Sequence, residues 1–233
     1  MTYKELIYMI LDELKGFSDD FSYTEDHIKF LCTHYRSFLL KQRYYSDLKK
    51  VIPESNYQTI CLDLIEVPVI DGECCEGGSM LRSKIKVPHT MGFGTTKVST
   101  CSMFDYNIAF ISRERMKYVG FNKWLRNTIY CTVGPDNYIY LKSWNPQFKY
   151  LEKVNVTGIF EDIEDAYNMS CENSNTGMCD IMDSDFPIES ALVQPLIELV
   201  VKELRASEYL PSDEVNDAND QLDNVNIKTN GKS

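Results

Sequence analysis

Apolar residues recur at three- and four-residue steps near the start of this chain. Leu6, Ile7, Ile10, Leu11 and Leu14 make one stripe over residues 2–15, with Thr2 and Glu5 as a capping-box pair and Gly16 as a stop. The same spacing continues through Ile28, Leu31, Tyr35, Phe38 and Leu39, which predicts a longer helix over about 24–50. Ser22 or Thr24 caps it and Pro53 ends it. Its other face carries Lys29, Arg36, Lys41 and Arg43. Together the two segments predict an αα-hairpin with a basic outer side, serving as a packing unit.

Near Tyr57 the pattern changes to strict alternation. "TICLDLIEV" puts Ile60, Leu62 and Leu64 on one face, and "SKIKVP" repeats the pattern through Ile85 and Val87 before Pro88 stops it. "TIYCTVGPDNYIYLKS" predicts a hairpin around the four-residue turn Gly134–Asn137. After the turn at "WNPQF", Val154, Val156 and Phe160 alternate with Lys153, Asn155 and Thr157. Residues 57–160 therefore read as a mostly antiparallel β region.

Glu161, Asp162, Glu164 and Asp165 follow at once. Four carboxylates at a helix start meet unpaired N–H groups and the positive end of the helix dipole, so capping is the economical explanation. A last helix is predicted at about 186–206, with Asp185 as cap, an apolar face from Ile188 to Leu204, and Pro195 kinking or splitting it. Beyond Pro211 the pattern collapses into an Asn/Asp-rich tail that keeps Val215, Leu222, Val225 and Ile227 as sparse apolar anchors, suited to threading into a partner. The expected architecture is α+β. Residues 1–56 and 161–207 form a helical bundle, 57–160 an inserted, mostly antiparallel β lobe, and 208–233 an extended tail.

Composition adds polarity to this layout. The 233 residues carry a net charge of −11, unevenly distributed. From Lys29 to Lys50 six cations face one acid, whereas Val154–Val201 holds ten acids and no Lys or Arg. Such polarity fits oriented assembly or a charged channel. No apolar run is long enough to span a membrane, and the charged start is unlike a signal peptide, so synthesis in the cytosol is expected.

Chemistry is poorly supported. The eight cysteines include no C-x-x-C pair and read as reduced thiols. Cys61, Cys74, Cys75 and His89 lack zinc-knuckle spacing. A Cys–His nucleophile drawn from Cys74 or Cys75 with His89 has no further support, and "GFGTT" at 92–96 lacks the lysine and helix of a phosphate loop. His27, His34 and His89 are scattered. The segment with Arg113, Arg115, Lys117, Lys123 and Arg126 around Tyr118, Phe121 and Trp124 is the best candidate for contacting an anion, against a plain reading as a solvated segment with buried aromatics. No catalytic residue, metal or cofactor is assigned.

In their order, "ELIYMILDELK", the long second helix, "LRSKIKVP", "YCTVGPDNYIYL", "VNVTGIFEDIEDAY", "DFPIESALVQPLIELVVKEL" and the Asn/Asp-rich tail resemble the head–tail adaptor (connector or ring) proteins of short-tailed phages, particularly crAss-like phages. The cysteine-rich "CCEGG" segment is not part of that resemblance. It implies a virion structural protein, not an enzyme, in a homo-oligomeric and commonly dodecameric ring. Helices would form the ring wall, the β lobe would meet the next tail ring or nozzle protein, and DNA would pass through the lumen without sequence-specific binding. The tail, through Val215, Asn216, Asp217, Leu222, Val225 and Ile227, would dock on the portal protein. Glu161, Asp162, Glu164, Asp165, Asp180 and Asp183 are the candidate lumen acids. The alternatives are a lower tail ring or tube-completion protein, and a nucleic-acid-binding module on Arg113–Arg126.

Overall fold

A computed structural model describes residues 1–15, 23–45, 51–67, 79–92, 96–101, 107–119, 123–125, 127–170 and 180–208. The two opening helices form where their apolar stripes lie, except that Phe38, expected on the second stripe, is exposed. α1 spans Tyr3–Lys15, with the Thr2 amide donating to Glu5 Oε2 and the Glu5 amide to Thr2 Oγ1. α2 spans Glu25–Tyr44 and is capped by Thr24, whose side chain accepts from the His27 amide.

The β region overturns the expected fold class. It is not a lobe inserted into a helical bundle but a closed seven-stranded barrel. Its strands are β1 (Gln58–Val67), β2 (Ser79–Ser83), β3 (Lys97–Thr100), β4 (Asn107–Phe110), β5 (Tyr130–Val133), β6 (Ile139–Ser143) and β7 (Lys153–Gly158), paired in the order β1-β2-β6-β5-β4-β3-β7 and back to β1. All pairs are antiparallel except β4 with β5. Strands β3 and β4, four residues each, are too short to show an alternation, yet they close the sheet and remove its edges. The "SKIKVP" segment is not a strand: β2 ends at Ser83, and Ile85 is exposed beyond it.

Inward residues follow the period of two. Ile60, Leu62, Leu81, Leu141, Val154 and Val156 fill the barrel. The β5–β6 hairpin turns as expected. Asn137 donates its amide to the Gly134 carbonyl and adopts φ 62°, a left-handed conformation that asparagine tolerates, and the Gly134 amide bonds Tyr138 O.

After β7, α4 (Ile163–Asn168) is capped by Asp162, whose Oδ1 accepts from the amides of Glu164 and Asp165. α5 spans Ser190–Glu208 and continues through Pro195 as one helix. It starts later than expected because residues 186–189 are held extended. The Phe186 amide bonds Met1 O, Thr2 and Asp185 form a β-bridge, and Asp185 faces the N-terminal ammonium at 3.5 Å rather than capping a helix.

Helices α1, α2 and α5 share a core that includes Leu6, Ile10, Ile28, Leu40, Leu196 and Val200. Met91, Ile159 and Ile163, at the barrel end where β7 exits, join that same core. Arg36 pins the junction. Fully buried, it donates from Nε to Pro187 O at 2.6 Å, from Nη1 to Phe160 O at 2.9 Å and from Nη2 to Asn56 O at 3.3 Å. Burial lowers its pKa from 12.5 to about 9, which still leaves it cationic at neutral pH.

Candidate assembly surfaces

The basic face expected on α2 is largely spent inside the chain. Lys41 pairs with Glu161 at 2.9 Å, Arg43 with Glu189 at 3.0 Å, and Lys29 with Asp26 at 3.1 Å. Tyr44 and Tyr35 donate hydroxyl hydrogen bonds to Glu189 and Glu203. Packing of α2 near the end of β7 thus sets Lys41 and Arg43 of the positive stretch against Glu161 and Glu189 of the acidic one.

This reorders the expected lumen acids. Glu161 is in an ion pair, Asp162 caps α4, and Asp180 accepts the Met182 amide at the head of the 3-10 turn Ile181–Asp183. Glu164, Asp165 and Asp183 are exposed and form no ion pair among the described residues. Tyr167 joins the two acidic turns by donating to Asp180 O at 3.5 Å. A groove of about 650 Å³ runs beside α4, lined on the α2 side by Phe30, His34 and Lys41 and on the barrel side by Lys86 and His89.

The cationic segment behaves differently. α3 (Arg113–Met116) packs along β5, and Met116 and Val119 are buried. Trp144 Nε1 donates to Val119 O at 2.9 Å, and Ser143 Oγ donates to Thr128 O at 3.2 Å, strapping the segment to the end of β6. What remains projects outward. Tyr118 is 73% exposed, Trp124 89% and Leu125 48%. Arg113, Arg115, Lys117 and Lys123 are exposed and in no ion pair among the described residues. Two of the three aromatics weighed as core residues therefore lie at the surface. Arg126 and Phe121 lie outside the described residues, as do Cys74, Cys75 and the whole tail set from Val215 to Ile227.

No group of three His, Cys, Asp or Glu side chains among the described residues is placed to hold a metal ion, and no helix among them is long and apolar enough to cross a membrane. Burial pushes the Cys32 and Cys131 thiols up to about 12, which keeps them protonated. Cys61 and Cys101 are not joined in a disulfide; their sulfurs lie 3.7 Å apart, and Cys101 Sγ donates to Asn155 Oδ1 at 2.7 Å.

The phage tail ring protein 2 family model matches residues 5–224. The chain belongs to that family. It is similar to ring protein 2 of Bacteroides phage crAss001, being 62% identical over 222 residues that cover 95% of this chain and 98% of that protein. The resemblance to crAss-like phage ring proteins is thereby established, and the chain is a structural ring protein of a phage tail. Sequence patterning pointed to the Arg113–Lys123 strip by charge but missed that Trp124 and Tyr118 face solvent.

Proposed function

We propose that this tail ring protein sits at the head-to-tail junction, where identical copies close a ring and each contacts its own neighbours, the portal protein and the next tail ring or nozzle protein. The observation that carries the proposal is similarity to ring protein 2 of Bacteroides phage crAss001 along nearly the whole chain. The role is structural and not enzymatic. The ring is dodecameric, and DNA crosses its lumen without sequence-specific contacts. Helices α1, α2 and α5 form the wall, consistent with their shared apolar core. The tail anchors Val215, Asn216, Asp217, Leu222, Val225 and Ile227 dock on the portal.

Cryo-electron microscopy of intact particles tests the assignment. Density for the chain as a closed ring directly below the portal is the expected result, and a ring placed lower in the tail would overturn the junction role. Deleting residues 211–233 should leave a folded protein that no longer binds portal. Normal portal binding by the truncated chain would reject tail docking.

A further inference from the structure

We infer that the exposed cations and aromatics of Arg113–Val119 and Lys123–Leu125 dock onto a second copy of this chain, whose acceptor is the acidic surface formed by α4 and the Ile181–Asp183 turn. The inference rests on the ring assignment above and adds the residues that make the contact.

Trp, Tyr and Arg are the side chains that most often anchor protein interfaces, and Trp124, Tyr118 and Arg115 are all exposed here. The strip's cations stand out in a chain whose net charge is −11. Those of α2 are matched internally, whereas Arg115, Lys117 and Lys123 are in no ion pair among the described residues. The matching surplus is on the same chain, in Glu164, Asp165 and Asp183, so each copy carries both halves of a charge-complementary contact.

The two halves cannot neutralise each other within one molecule. The strip is strapped to the end of β6, near the start of β7, while the acids follow the far end of β7. The six residues of that strand put about 20 Å between the two ends. A contact between unlike faces is heterologous, the type that propagates around a ring. Trp144 and the buried Met116 and Val119 hold Arg113–Val119 in place beforehand, so little ordering of that part is needed on docking.

The test has two arms, both on the full-length chain. In sedimentation velocity, the pair Arg115→Glu/Lys117→Glu and the pair Glu164→Lys/Asp165→Lys should each weaken self-association at least tenfold, and the two pairs combined should restore it. Trp124→Ala should weaken it without changing thermal unfolding. Wild-type-like assembly of either charge-reversed pair overturns the proposal. In phage particles, a benzophenone amino acid at position 124 should crosslink to residues 161–185 of another copy. Crosslinks to DNA or to a different tail protein overturn this contact and leave the ring assignment standing. Absence of the chain from particles overturns the ring assignment itself.

Discussion

In α2, Lys29, Arg36, Lys41 and Arg43 all have partners within the chain, one of them a fully buried guanidinium on three carbonyls. In the strip from Arg113 to Lys123, four cations of the same kinds are exposed and in no ion pair among the described residues. The two stretches are similar in composition, so composition does not decide their fate. Position does. α2 is pressed between α5 and the exit of β7, where the acids lie, whereas the strip is held on the barrel wall near the opposite end. The charge in α2 therefore serves folding, and that of the strip faces solvent.

The comparison breaks most readily at Arg36. Arg36→Ala strands three buried carbonyls and should destabilise by about 3–5 kcal/mol in urea unfolding. A loss under 1 kcal/mol would mean that the guanidinium does not pin helices to barrel. Glu189→Ala comes next. It removes the partner of both Arg43 and Tyr44 at a site where the carboxylate side chain is 8% exposed, and a loss of about 2 kcal/mol is expected by the same measurement. Asp162→Ala removes the α4 cap and should lower stability by about 1 kcal/mol. Smaller again is Lys41→Ala. Its pair with Glu161 is half exposed, so at most about 0.5 kcal/mol should be lost, and less in high salt. Arg115→Ala should sit at the bottom of the stability series, within about 0.5 kcal/mol of wild type, while weakening self-association. If Arg115→Ala unfolds the protein as Arg36→Ala does, the contrast between the two stretches is lost.

Local elements were well determined by residue pattern. The α1 capping box, the Thr24 cap, the hairpin turn at Gly134–Asn137 and the inward set Val154, Val156 and Phe160 all appear where spacing put them. Asp162 likewise caps α4, as the run of carboxylates implied. These features depend on neighbours within a few residues, and a sequence displays such neighbours directly.

Closure of the barrel was not visible in the same way. β3 and β4 are four residues each, and the parallel pairing of β4 with β5 joins segments separated by the α3 excursion. A short strand has too few positions to establish a period, and its place in a sheet is fixed by partners distant along the chain. The expectation of a bundle with a β lobe failed for that reason. The same holds for charge. Sequence alone determined that cations and acids are segregated along this chain. Only the tertiary structure decided which of them meet, because an ion pair depends on distance in space: folding brought Lys41 to Glu161 and Arg43 to Glu189 and left the other cationic stretch facing water.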